Sequence, residues 1–144
     1  MLDIKMIEKK DLELLENIGK LSLPIYYDSS YLHNMIYDSN YLLLKANEND
    51  KIVGFIFTKL EEDNIHIISF AVLPEMRNKG IGTKLIDTLK TFNHFSSITL
   101  NVLETNKQAI NFYYKNNFKL EKILHKYYKT LNNSNALFLK FSKN

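Results

Sequence analysis

One junction limits the fold of this chain more than any other stretch: Arg77-Asn78-Lys79-Gly80-Ile81-Gly82-Thr83. It follows an apolar run, Ile65 to Leu73. It opens a segment, Lys79 to Phe92, in which Ile81, Leu85, Ile86, Leu89 and Phe92 share one face at helical spacing. A strand that turns into a helix through so short a loop is the unit of α/β architectures. Two of the four glycines and the only arginine of the chain sit here. A glycine loop at a helix N-terminus leaves backbone N–H groups free at the positive end of the helix dipole, which suits an anion, most often a phosphate. A guanidinium beside it is a bidentate phosphate partner. The expectation is a phosphate-bearing cofactor held at this loop.

Elimination narrows the kind of loop. No Gly-x-x-x-x-Gly-Lys-Ser/Thr occurs, which excludes a Walker loop. After Gly80 and Gly82 the third glycine position of the dinucleotide fingerprint holds Leu85. What stands here is Arg-x-x-Gly-x-Gly.

The rest of the chain supplies the context. Leu2 to Ile7 alternates with period two and predicts a strand. Asp11 to Gly19 predicts a helix with Leu14, Leu15 and Ile18 on one face and Gly19 as its stop. Ser29 to Asp38 predicts a second helix, capped by Asp28 or Ser29, with Leu32, Met35 and Ile36 inward. Tyr41 to Lys45 and Ile52 to Leu60 read as strands joined by the turn Asn47-Glu48-Asn49-Asp50. Asn64 to Leu73 follows as a central strand covered on both faces. Ser97 to Leu103 is a strand, and Asn106 to Lys115 a helix with Asn106 as N-cap and Ala109, Ile110, Phe112 and Tyr113 inward. Phe118 to Lys129 and Asn135 to Phe141 are the last two strands. The order β-α-α-β-β-β-α-β-α-β-β predicts one α/β domain over residues 1–144 with a mixed central sheet.

Composition closes off other classes. Zero cysteines exclude disulfides, thiolate zinc sites and a cysteine nucleophile. No apolar run reaches membrane-spanning length and the N-terminus has no signal-like core, so a cytoplasmic protein without a membrane partner is expected. The net charge of +3 is mild and the lysines are interspersed with acids, which gives no nucleic-acid stripe. No cluster of His with acids suggests a metal.

The Arg-x-x-Gly-x-Gly loop resembles the acetyl-CoA pyrophosphate loop of the Gcn5-related N-acetyltransferases (GNAT). The order of elements matches that family along the whole chain. So does a later block, Leu100-Asn101-Val102-Leu103-Glu104-Thr105-Asn106-Lys107-Gln108-Ala109-Ile110-Asn111-Phe112-Tyr113. The family's Gly-Phe after that helix is Asn117-Phe118 here; Asn is the next-best left-handed cap after Gly.

The resemblance implies a GNAT fold with a splayed strand pair and helices on both faces of the sheet. It implies acetyl-CoA as cofactor, released as CoA, and direct attack by a primary amine in a ternary complex. Backbone of Phe70, Ala71 and Val72 would pair with the pantetheine arm. Arg77, Asn78, Lys79, Gly80, Ile81, Gly82 and Thr83 would hold the pyrophosphate, with Gly82 where a side chain would meet it. Asn106 caps its helix and would also touch the pantetheine arm. Tyr113 would be the general acid that protonates the leaving thiolate; the plainer reading is an aromatic on a buried helix face. His66, read as in register with Ile68, Phe70 and Val72, would be the base, and a strand histidine with a structural role is its plain alternative.

Two further segments, Leu23-Pro24-Ile25-Tyr26-Tyr27 and His125-Lys126-Tyr127-Tyr128-Lys129, resemble those that flank the peptide in N-terminal protein acetyltransferases of the NatE type and the ribosomal-protein alanine type. Carried over, Pro24, Ile25 and Tyr27 shape a first-residue pocket, Ile68 also contacts the substrate, and Tyr127 and Tyr128 bond the substrate backbone. The NatE-type tyrosine of the central strand aligns with His66. The histidine or glutamate of the next strand aligns with Asn101, which can orient a water but cannot act as a base. The expected acceptor is a protein or peptide N-terminus. Acetylation of a small amine, with Asp28, Glu61 and Glu62 forming an acidic cleft, and a weakly active CoA-binding regulatory subunit are the alternatives. The chain is expected to act as a monomer or homodimer.

Overall fold

Alternating and continuous apolar runs assemble into one seven-stranded sheet in the computed structural model, which describes residues 1–143. The strands are β1 (Leu2–Met6), β2 (Tyr41–Glu48), β3 (Lys51–Glu61), β4 (Asn64–Val72), β5 (Ser97–Leu103), β6 (Lys119–Tyr128) and β7 (Ser134–Ser142). Their spatial order is β1-β2-β3-β4-β5-β7-β6. Only β4 and β5 run parallel, joined by the crossover helix that the glycine loop opens. The β2–β3 turn is carried by Asn49 and Asp50, both left-handed with φ of 52° and 67°, a geometry suited to tight hairpins. The chain is an α/β protein with a mixed central sheet, as the order of elements predicts.

Helices cover both faces. α1 (Leu12–Ser22) and α2 (Ser29–Ile36) bury Leu12, Leu15, Ile18, Leu32 and Met35 against Leu43, Phe55, Phe57 and Ala71. α3 (Ile81–Lys90) and α4 (Lys107–Lys115) bury Ile81, Leu85, Ile86, Leu89, Ile110 and Tyr113 against Ile56, Ile65, Ile67, Leu100 and Leu139 on the other face. The caps follow chemistry: Asp28 accepts from Tyr31 N–H at 3.0 Å, and Asn106 accepts from Ala109 N–H at 3.2 Å. Asn117 takes the left-handed position after α4 with φ 72°. Asp11, at the start of α1, accepts from the Lys45 ammonium at 2.6 Å and from Glu8 N–H at 2.8 Å, which ties that helix to β2.

Three local expectations change. α1 does not stop at Gly19 but runs on to Ser22. Gly19 is there for space: a Cβ would lie 2.9 Å from the Tyr26 Cβ, so the glycine lets the segment after the helix pack back against it. Leu14 faces outward and Leu12 takes its place in the core. The third change is in β4. Ser69 pairs with Phe57 and Ile67 with Thr58, which leaves Ile68 as one extra residue, a β-bulge. Before it Ile65 and Ile67 face α3; after it Phe70 and Val72 do. His66 therefore shares the α1–α2 face with Ile68 and Ala71, and is not in register with Phe70 and Val72 as the unbroken count expects.

Candidate active site

The bulge opens the sheet. Hydrogen-bonded pairing of β4 with β5 ends at Ile67 and Leu100, while β5 continues with β7 as far as Leu103 and Ala136. From Ile68 to Val72 the edge of β4 that faces β5 carries backbone groups without a strand partner. The wedge so formed is the floor of a cleft of about 1130 Å³. Its walls come from β4 and the β4–α3 loop, from the segment Ser22 to Tyr27, from α4, and from Tyr127, Tyr128 and Leu131 at the β6–β7 hairpin.

One end of the cleft is built from backbone. Asn78 and Gly80 are left-handed, with φ of 62° and 81°, and turn the chain into α3. The first hydrogen bond of the helix runs from Lys84 N–H to the Gly80 carbonyl. The N–H groups from Asn78 to Thr83 have no partner among the described residues, which is the donor set a pyrophosphate needs. The two glycines have different reasons. At Gly80 a Cβ would meet nothing within 4 Å, so the positive φ explains the residue. At Gly82 a Cβ would stand 3.0 Å from Phe112 and 3.1 Å from Phe70, so it would press into the aromatic layer beneath the loop and not toward a phosphate above it.

Arg77 has a contact of its own within the loop. Its Nε donates to the Val72 carbonyl at 3.0 Å, so the guanidinium braces the loop against the end of β4. Phe70, Ala71, Val72, Arg77, Asn78, Gly80, Ile81, Gly82, Thr83 and Asn106 all line the cleft. Lys79 does not: its exposed side chain lies against Met76. This end fits acetyl-CoA by its free amides and by the unpaired edge of β4.

The other end is built from side chains. Pro24, Ile25, Tyr27, Ile68, Tyr127 and Tyr128 all line it. Burial raises the pKa of the Tyr27 phenol, with Tyr41, Tyr127 and Tyr31 adding to the shift. Burial likewise raises that of Tyr128, with Tyr127 adding. Tyr127 and Tyr128 meet edge to face at 5.0 Å. The Asn101 amide donates to Tyr127 Oη at 3.2 Å, while its Oδ1 is sealed from solvent and accepts nothing. Ser22 Oγ, at the C-terminus of α1, is a second sealed polar atom on the lining. The sequence reading missed Ser22, because it expected the helix to end earlier.

Between the two ends sits Tyr113, buried among Phe70 at 6.0 Å, Phe112 at 5.4 Å and Phe118 at 5.5 Å. Burial, with Tyr128 adding, pushes its phenol far above the usual tyrosine range. It therefore stays protonated at any physiological pH, so its hydroxyl is a hydrogen-bond donor there, while the same shift makes it a weaker acid. His66 stands on β4 just before the bulge. Its Nδ1 is 2.7 Å from Thr99 Oγ1 and its ring lies nearly parallel to Phe138. Burial lowers its pKa; the Glu61 carboxylate opposes that shift and Lys59 adds to it.

A model of the Acetyltransferase (GNAT) family matches residues 9–118. An uncharacterized N-acetyltransferase of Methanocaldococcus jannaschii is 34% identical over 131 residues, covering 87% of this chain and 83% of its own. An N-alpha-acetyltransferase of Saccharolobus solfataricus is 31% identical, covering 82% of this chain and 80% of its own. The structure of Arabidopsis thaliana Naa50 in complex with the bisubstrate analogue CoA-Ac-MVNAL superposes with a TM-score of 0.82 at 25% identity over 98% of each chain.

Proposed function

Because the chain belongs to the GNAT acetyltransferase family and moves an acetyl group from acetyl-CoA to an amine, we propose that its acceptor is the N-terminal α-amine of a protein or peptide. The observation that carries this reading is the composition of the cleft wall, which contains no Asp or Glu among the described residues. Asp28, Glu61 and Glu62, the carboxylates that an acceptor cleft for polyamines would draw on, lie off it. A polycation would find no countercharge there. A peptide, whose single amine is followed by a neutral backbone, finds aromatic walls and hydroxyls. The similarity to an N-alpha-acetyltransferase and to the peptide-analogue complex supports the same acceptor. A cytoplasmic site of action goes with it.

Bound acetyl-CoA supplies a thioester carbonyl as electrophile and a thiol as leaving group. Residues Asn78 to Thr83 would hold its pyrophosphate through their N–H groups, and the open edge of β4 its pantetheine arm. Pro24, Ile25, Tyr27 and Ile68 would face the first side chain of the peptide, and Tyr127 and Tyr128 its backbone. Asn101 would hold the Tyr127 phenol in place through its amide N–H. Tyr113 would give its proton to the departing sulfur. The neutral amine gains an N–C bond as the C–S bond breaks, and one amine hydrogen is balanced by the thiol hydrogen.

The test is incubation with acetyl-CoA and a panel of free peptides, N-blocked peptides carrying a lysine, and spermidine, read by mass spectrometry. Acetylation confined to α-amines is expected. Acetylation of spermidine or lysine in preference to α-amines overturns the acceptor. Binding of acetyl-CoA without any product points to a regulatory subunit.

A further inference from the structure

A line of side chains behind the cleft has no part in the account above. It begins at the surface with Glu61 and runs inward along the paired part of β4 and β5. Asn64 Nδ2 donates to Glu61 Oε1 at 2.8 Å and to Thr99 Oγ1 at 2.8 Å, while its Oδ1 accepts from the Ser97 hydroxyl at 2.8 Å. The carboxylate can only accept, so the amide nitrogen must be the atom facing it, and the amide has one orientation. Thr99 Oγ1 is therefore an acceptor toward Asn64. The Thr99 side chain is buried, and the one other polar atom bonded to its hydroxyl is His66 Nδ1 at 2.7 Å. A buried hydroxyl hydrogen needs an acceptor, and here Nδ1 is the acceptor on offer.

We propose that Thr99 is a positioning residue that holds His66 as its Nε2–H tautomer, so that His66 meets the substrate as a hydrogen-bond donor and not as the base. With the Nδ1 lone pair filled by Thr99 and the other ring nitrogen carrying hydrogen, the neutral ring has no lone pair to offer the amine. Protonation at Nδ1 would make Thr99 Oγ1 accept a second time and turn its own buried hydrogen away from Nδ1, leaving it without an acceptor among its bonded partners. The charged groups around the ring do not change this. Lys59 is the cross-strand neighbour of His66 on β3, and Glu61 follows two residues on. Lys140 is the neighbour of Thr99 on β7, and Lys122 of β6 lies over the Phe138 ring. None of them hydrogen-bonds the imidazole. Nε2–H is then the group that faces the cleft, suited to a carbonyl or water oxygen on the acceptor side. The amine's proton then leaves to solvent water, since neither the neutral His66 ring so held nor the Asn101 amide can act as a base. This assignment rests on the proposed acceptor only for what the donor touches; the tautomer itself stands without substrate.

The experiment is nitrogen-15 NMR of the His66 ring in the labelled full chain at neutral pH, without ligand. Expected are a bare Nδ1 and a protonated Nε2 in the wild type, loss of that preference in Thr99→Val, and its return in Thr99→Ser. With an α-amine peptide as acceptor, Thr99→Val lowers turnover by roughly three- to tenfold, the scale of one hydrogen bond, and Thr99→Ser restores it. A protonated Nδ1 in the wild type overturns the proposal. So does a Thr99→Val ring whose signals match the wild type. If the tautomer is found as stated and no α-amine is acetylated, the acceptor assignment fails and the role of Thr99 stands.

Discussion

The two ends of the cleft are made of different material. The cofactor end is a short, continuous stretch of backbone, in which the free amides from Asn78 to Thr83 would do the holding. The acceptor end gathers side chains from segments more than a hundred residues apart: Tyr27 after α1, Asn101 on β5, and Tyr127 and Tyr128 before the hairpin. Side-chain exchanges other than to proline leave backbone amides in place, so the first end resists most point changes unless charge or bulk is added. The second depends on individual phenols and amides, each removable at modest cost.

The largest effect should come from adding charge to the backbone end. Thr83 is exposed in the first turn of α3, where an acidic side chain suits the helix dipole. Thr83→Glu should leave the melting temperature unchanged or higher and weaken acetyl-CoA by roughly a hundredfold, since one charge a few ångströms from a pyrophosphate costs a few kcal/mol at an effective dielectric near 20. Unchanged affinity by calorimetry would break the assignment of this end.

Next is Tyr113, which belongs to both ends. Tyr113→Phe should lower turnover by roughly ten- to a thousandfold, the scale of one lost acid catalyst, with acetyl-CoA affinity preserved. Full turnover would make Tyr113 a packing residue.

Gly82→Ala should act on the fold. Its methyl enters the Phe112 and Phe70 contact, and chemical denaturation should show a loss of about 1–3 kcal/mol, typical of overpacking. A stable variant with weakened cofactor binding would restore the phosphate reading of Gly82.

The smallest effect belongs to the acceptor end. Tyr127→Phe removes the Asn101 partner and should raise the KM for peptide roughly threefold to tenfold without touching acetyl-CoA affinity, as one hydrogen bond allows. A larger change in the cofactor than in the peptide would show that the two ends are not separable.

The same contrast explains what could be read from the chain. The loop was legible because left-handed backbone and a helix start leave marks on neighbouring residues; Gly80 and Asn117 carry those marks themselves. Helix faces followed from spacing, except that Leu14 and Leu12 exchanged places at an N-terminus whose entry angle is set by the Asp11–Lys45 pair. Gly19 misled because its reason is Tyr26, a contact made only once the chain has turned back. The tyrosines of the acceptor end were found by resemblance alone, because no local rule binds Tyr27 to Tyr127. The partnership of Thr99 with His66 was invisible because it requires the parallel pairing of β4 and β5 in one register.

The extra residue at Ile68 reaches beyond the cleft it opens. It works as a parity bit in the strand: positions before and after it obey opposite odd–even rules for which side of the protein they address. Alignments that count every second residue through β4 assign Phe70 and Val72 to the wrong layer, as they do for His66. Length, more than composition, is therefore what this strand must conserve. Removing one residue there would send every downstream side chain to the opposite helical layer and close the gap in the sheet, whereas exchanging Ile68 for another apolar residue would leave both intact.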